Sequence, residues 1–452
     1  MSLRLFPRLL AITLLTVAIG WTRGAEAVPS FSRQTGEPCT SCHIGAFGPE
    51  LTARGRNFKL LGYSDQRADA TNDWREQLQR FSGMVIGSYN HTSGGVSPPQ
   101  RWFSPNDNLA IDQASLFYAG RIAEHLGAFV QITEDGIGRR FQVDNVDFRY
   151  GRALDIAGTD VIAGMSFNNN PTVTDPYQTL PVWGQPFVSS ALAPAPMASA
   201  ILNGGLSGQV YGGNAYFRAG GLLYVEGGLY QTISRHTRLL LGADTTPTSL
   251  SSPALYGRIA LQQESSRRLL EIGLFGIQTS LRPSGTSSDH FNDWGVDASF
   301  QWLGDRTHIV TAYGRWLREY QALGGTYATG GSANIHNTLT EARVNVSYWY
   351  QQTYGITGGV YRMYGSPDAV LYQPSPVGGS VSSRPNTQGY LAELAWVPFG
   401  KEGSFGAPWL NLRVGLQFTA YSRFNGGVQN YDGYGRNASN NNAVFLYTWL
   451  AF

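Results

Sequence analysis

Only 14% of the 452 residues are charged, while 55 are glycine and 13% are aromatic; typical globular chains carry about 25% charge and about 7% glycine. A formal net charge of +2 gives no basis for nucleic-acid binding, and 42% hydrophobic residues with so little charge exclude a disordered chain. Beyond residue 27 no run of 18 apolar residues occurs, so helical membrane spans are excluded and the composition is that of a transmembrane β-barrel.

The first 27 residues read as a secretory signal peptide. Arg4 and Arg8 form a basic start, Leu9 to Trp21 an apolar stretch too short to span a bilayer, and "AEA" at 25–27 a cleavage site. Its removal leaves 30 basic and 30 acidic residues, a neutral mature chain.

The segment 28–78 contains both cysteines of the chain, in "EPCTSCHIG" at 37–45. Cys39-Thr40-Ser41-Cys42-His43 fits C-x-x-C-H, the attachment motif for a c-type haem. Two thiols three apart reach the two vinyl groups of one porphyrin, and the adjacent histidine is placed as proximal iron ligand. A redox-active disulfide would call for a thioredoxin-like βαβ setting, and a zinc site for further Cys or His nearby; neither is present in the sequence.

Downstream, "GPELTARGRNFKLLGY" at 48–63 predicts a short helix with Pro49 in its first turn and Gly62 as its stop. Gly55 would admit a flat cofactor close to the backbone. Arg54, Arg56 and Lys59 are candidates to pair with haem propionates or to form a solvated basic face. A segment of this length cannot bury a haem in its own core. The barrel is therefore expected to complete the pocket, with the haem segment as a plug in the lumen or at the periplasmic mouth.

From residue 79 to 452 the pattern is period two. In "LNLRVGLQFTAY" at 410–421, Leu410, Leu412, Val414, Leu416 and Phe418 share one face, and Asn411, Arg413, Gln417 and Thr419 the other. Similar segments begin near residues 81, 112, 125, 141, 160, 207, 222, 254, 267, 292, 306, 339, 354, 387, 409 and 443. Sixteen antiparallel strands with long extracellular loops and short periplasmic turns make a closed all-β outer-membrane barrel with both ends in the periplasm.

The Pro-rich stretch 168–205 carries one charge, Asp175, and is expected to fold into the lumen. Met197 on it is the candidate sixth ligand, a thioether that would raise the haem potential. His91 at the end of the first strand is a weaker candidate, and an open sixth site is the third possibility. The chain ends in "AVFLYTWLAF", an amphipathic strand with terminal Phe452, similar to the signal read by outer-membrane assembly machinery. Together with the leader it points to the outer membrane of a Gram-negative-type cell.

Across the mature chain, and most specifically in "VPSFSRQTGEPCTSCHIGAFGPELTARGRNFKLLGYS" at 28–64, the sequence resembles the outer-membrane monohaem cytochrome–porin fusions associated with iron-oxidising bacteria. The resemblance implies one covalent haem c on Cys39 and Cys42, ligated by His43. It further implies oxidation of extracellular Fe(II), with the electron passed to a periplasmic cytochrome or other redox protein. Whether such a chain counts as an Fe(II) oxidase is left open by its residues. The alternative from another class is a diffusion porin with a structural or regulatory haem plug.

Overall fold

The computed structural model describes residues 28–71, 73–242, 249–283 and 287–452; the signal peptide read at 1–27 lies outside the described residues. Sixteen antiparallel strands, β1 (Phe81–Thr92) to β16 (Ala443–Ala451), pair in sequence order, and β1 pairs with β16 to close the barrel. At that seam Met84 opposes Ala451 and Thr92 opposes Ala443. The terminal residue extends it, since Gly83 N donates to Phe452 O at 2.7 Å and Phe452 N to Gly83 O at 2.9 Å.

The barrel is inside-out relative to a soluble protein. In β10 (Asp289–Trp302), Trp294, Val296, Phe300 and Trp302 face out, while Asp293, Asp297, Ser299 and Gln301 are buried in the lumen. β12 (His336–Tyr350) and β15 (Asn411–Arg423) repeat the alternation, as the sequence predicts. Exposed rings form two belts. Tyr150, Trp302, Tyr350, Tyr354 and Trp396 lie at one end, Tyr211, Tyr320, Tyr364 and Tyr390 at the other, with Leu394, Ile356, Val344 and Leu274 between them. An apolar band flanked by aromatic girdles is the outer surface of a membrane barrel.

Strand starts agree with the sequence within a few residues; β2 (Asn108–Ala123) and β8 (Ser249–Glu264) begin earliest relative to expectation. In β8 the polar run Ser249–Pro253 and register shifts at Leu250/Ser252 and Ser252/Leu255 erase the alternation there. Connections at one end are short, such as 124–125, 157–158 and 351–353, and long at the other, such as 169–209, 366–386 and 424–442. One short-end connection, 397–410, breaks the rule because it seats the N-terminal segment. Gly400 O accepts from Thr40 N at 3.4 Å, and the Arg33 guanidinium lies 4.4 Å from the centre of the Trp409 ring.

That N-terminal segment comprises α1 (Pro29–Thr35), α2 (Cys39–Cys42), α3 (Ala53–Leu60) and α4 (Trp74–Leu78). Its first three helices plug the lumen at the short-turn end. Arg56 ties α3 to Glu264 of β8 at 2.5 Å and to Gln301 of β10 at 3.1 Å. Tyr63 donates to Asp147 at 2.7 Å, and Thr311 of β11 (His308–Ala322) donates to Glu50 at 3.0 Å. The helix α3 starts later than the sequence suggests. Thr52, not the turn at Pro49, caps it, because its Oγ1 accepts from Gly55 N at 3.3 Å. Gly62, at φ 75°, ends it in the left-handed region.

Above the plug the connection 169–209 crosses the lumen as expected. Ile201 N donates to Glu319 at 2.6 Å, Leu202 N to Asp293 at 3.0 Å, and Gln417 donates to Val188 O at 3.0 Å. These partners lie on β11, β10 and β15, so the connection is fastened across the width of the barrel.

Candidate functional site

A single turn places the two cysteines and the histidine. Ser41 N donates to Pro38 O at 2.8 Å and His43 N to Cys39 O at 2.6 Å, which coils Cys39–Cys42 into α2. The chain then doubles back: Ile44 N donates to Glu50 O and Thr52 N to Cys42 O, each at 2.9 Å, with His43 and Leu51 bridged antiparallel. Behind this turn Ile44, Ala46 and Phe47 pack on Leu303, Ile309, Trp349 and Val397. Asn411 of β15 completes the support, its Nδ2 lying 3.3 Å from Cys39 Sγ and donating to Ala46 O at 2.8 Å.

Gly55 explains how α3 fits against this turn. A Cβ there would lie 2.3 Å from Cys42 O, so the close approach is to the backbone of the motif, although Gly55 also lines the cavity described next. Gly55→Ala is expected to cost about 1–3 kcal/mol by overpacking. The plug should become more protease-sensitive; unchanged resistance of segment 28–78 would refute this packing.

Cys39, Cys42 and His43 open onto a cavity of about 320 Å³ between the plug and the barrel wall, within the range of small-molecule sites. Its other walls are mainly apolar and aromatic: Phe31 and Phe58 from the plug, Met84 and Ile86 from β1, Phe117 from β2, Phe129 from β3 (Leu126–Asp135), and Trp183 and Phe187 from the crossing connection; Gln113, Gln131, Asp144 and Asn145 add a polar side. Neither cysteine forms a disulfide. His43 Nδ1 is buried, faced by the Gly48 backbone without completing a full hydrogen bond. Burial pushes the imidazole down to about 4, partly opposed by Gly48, so the ring is neutral at physiological pH. A neutral imidazole is the form that ligates a metal.

The basic residues of α3 separate into two kinds. Arg54 makes ion pairs with Glu37 at 2.7 Å and Asp65 at 2.5 Å, and Arg56 is held by Glu264, so neither is spare for an anionic ligand. Nor is this face solvated, since Arg56 and Lys59 are both buried. Lys59 alone of the three lines the cavity, its Nζ donating to Val173 O and Asp175 O at 2.8 Å and lying 4.7 Å from the centre of the Trp183 ring. Burial, reinforced by Arg149, pushes Lys59 down to about 7, opposed by Asp147, Asp175 and Glu226.

The structure does not bring Met197 to this cavity. Met197 N donates to Asn425 at 3.1 Å, in the connection 424–442 at the long-loop end, and Met197 is not among the cavity's lining residues. His91 is bound to Asp107 at 2.8 Å at the same far end. A lining residue that the sequence reading did not single out is Met84. Its signal was available: Ser82, Met84, Ile86, Ser88, Asn90 and Thr92 share the inward face of β1, and an apolar pair at the plug end of that polar row marks a lined pocket.

A second cavity of about 550 Å³ lies on the long-loop side of the crossing connection, lined by Arg315, Glu341, Arg343, Asn345 and Thr419 among others. The stretch 178–189 separates the two. Trp183 and Phe187 face the plug cavity, Gln185 and Pro186 the other, and Gln178 both.

No family model matches this chain, and no curated protein is similar to it. Among solved structures it is similar to OprB of Pseudomonas putida, with 12% identity over 82% of this chain and 93% of that one, at a TM-score of 0.47. An anion-selective porin from Comamonas acidovorans gives 12% identity, 82% and 98% coverage and a TM-score of 0.44. The outer membrane channel DcaP of Acinetobacter baumannii gives 12%, 82% and 96%, and 0.42. At such scores the strand pairing alone carries the fold.

Proposed function

We propose that this chain is an outer-membrane electron-transfer protein. It carries one c-type haem on Cys39 and Cys42 with His43 as proximal ligand, and it links an extracellular donor to a periplasmic redox partner. The observation that carries the reading is the meeting of both thiols and the His43 imidazole, its Nδ1 buried, on one cavity walled mainly by apolar and aromatic side chains. This donor set suits haem better than a bare metal ion: among the described residues no three His, Cys, Asp or Glu side chains come together as a metal site. A haem held there supplies reversible one-electron chemistry at its iron.

The chain's own residues do the rest. Phe31, Phe58, Phe117 and Phe129 give the cavity a large apolar surface on which a flat group can pack. The stretch 178–189 leaves a single layer of chain between the inner cavity and the outer one, which carries Arg315, Glu341 and Arg343 in its wall. A small hydrated donor in the outer cavity can therefore come close to the inner one. The outward apolar band places the barrel in a membrane, and the barrel's long-loop end is its extracellular side by the usual asymmetry of such barrels. The plug and the crossing connection obstruct the lumen in series, which disfavours the diffusion-porin alternative.

Fe(II) as the donor comes from the family resemblance. Rapid mixing of purified, haem-loaded protein with Fe(II) should reduce the haem within the mixing experiment, and the same protein in planar bilayers should conduct little. Haem that stays oxidised rejects Fe(II) as donor, and porin-like conductance restores the alternative.

A further inference from the structure

We propose that the Met84 thioether is the second axial ligand of the haem held through His43. This rests on the haem reading above and names the iron's other partner.

Elimination begins with sulfur. The chain has five methionines, of which Met1 lies outside the described residues. Met165 faces outward at 64% exposure. Met363 is buried among Leu180, Leu202 and Tyr230 on the far side of the crossing connection, and Met197 is held near Asn425. Met84 alone of these lines the cavity that Cys39, Cys42 and His43 line. No histidine other than His43 lines it.

Of the remaining lining donors, Ser82 Oγ has no hydrogen-bond partner among the described residues, but it is a hydroxyl, which is not among the usual haem ligands. Asp144 accepts from Thr133 at 3.2 Å, and Ser32 and Thr35 donate to backbone carbonyls. The other candidate ligands are engaged elsewhere. Lys59 Nζ is bonded to two carbonyls, and Tyr63 donates to Asp147. Gln178 accepts from Leu51 N at 3.1 Å and donates to Pro176 O at 2.7 Å, and Glu37 is paired with Arg54. Gln113, Gln131 and Asn145 join a side-chain network through Ser115 and Thr133.

Position agrees with chemistry. His43 belongs to a turn that packs on Ile309 of β11, Trp349 of β12, Ala395 of β14 (Thr387–Trp396) and Ala451 of β16. Met84 is the neighbour of Ala451 across the β1–β16 seam and packs with Ile86, Phe117, Phe445 and Tyr447. His43 and Met84 thus line one cavity from different elements, the plug turn and the first strand. A methionine in such a cluster otherwise serves as a flexible filler. Leucine would then replace it without spectroscopic consequence.

The test uses full-length, haem-loaded protein. Haem staining after denaturing electrophoresis first establishes covalent haem in the wild type; its absence defeats the haem reading, whatever ligates the iron. With haem present, the oxidised wild type should be low-spin and show the far-red sulfur-to-iron charge-transfer absorption. Met84→Leu should lose that absorption, become high-spin, and bind carbon monoxide when reduced. Met84→His should stay low-spin without the sulfur band and with a lower reduction potential. Met197→Leu should change none of these. A wild type lacking the sulfur band, or a Met84→Leu protein that keeps it, overturns the assignment. Because the wild-type spectrum is itself decisive, poor folding of a variant does not shelter the proposal.

Discussion

Replacing Cys39 and Cys42 together by alanine is expected to abolish covalent haem while the barrel still forms. Both side chains belong to a four-residue helix in the plug, and none of the sixteen strand ladders includes them. Each thiol would form one thioether to one vinyl group, so the double variant has no attachment point, whereas either single variant retains one. Haem staining after denaturing electrophoresis should fall from strong to absent in the double variant. Heat-dependent gel migration should stay that of a folded barrel. A double variant that still stains would sink the c-type assignment; a barrel that no longer folds would show that the plug templates the wall.

The second large effect is expected at Arg258, fully buried on β8. Its guanidinium lies 3.4 Å from Asp175, 3.0 Å from Glu271 and 2.5 Å from Asp297, with the Tyr177 ring centre at 5.1 Å. Asp175 in turn organises the crossing connection, accepting from the backbone of Tyr177 at 2.8 Å, Leu180 at 2.9 Å and Thr179 at 3.0 Å. Arg258→Ala would leave three buried carboxylates facing one another without their cation. Breaking a buried pair from one side costs about 3–5 kcal/mol. The connection should undock from the wall, single-channel conductance should rise from near zero, and protease should cut within 169–209. A variant that stays closed and protease-resistant would show that the contacts to Glu319, Asp293 and Gln417 suffice without Arg258.

The barrel was legible because a lipid-facing strand must alternate: Trp294, Val296, Phe300 and Trp302 against Asp293, Asp297, Ser299 and Gln301 admit one reading. The motif at 39–43 was legible because its chemistry is local. What local pattern does not carry is which distant residues meet. Asp175 stood out as the lone charge of 168–205, yet its partner Arg258 lies 83 positions along the chain and has no sequence mark beyond its inward parity. Arg54 and Arg56 looked like a basic face because Glu264, which neutralises one of them, comes from β8. Met197 drew attention for lying on a loop bound for the lumen. The loop does enter the lumen, but that residue leaves the cavity to Met84, whose own claim was written in strand parity rather than in a motif.

The position of the cavity on the β1–β16 seam also bears on the order of assembly. Met84 belongs to the first strand, and Trp449 and Ala451, which share the wall with it, belong to the last. That wall does not exist until the two ends of the barrel meet. The thiols, by contrast, precede the first strand in the chain and depend on no strand for their spacing. Haem attachment can thus be an early event on an open segment and enclosure a late one, with the closing strand as the last side of the box. On the proposed haem reading, a chain stalled before closure would hold the group by the two cysteines and His43 without Met84, and the sulfur band would double as a reporter of completed insertion.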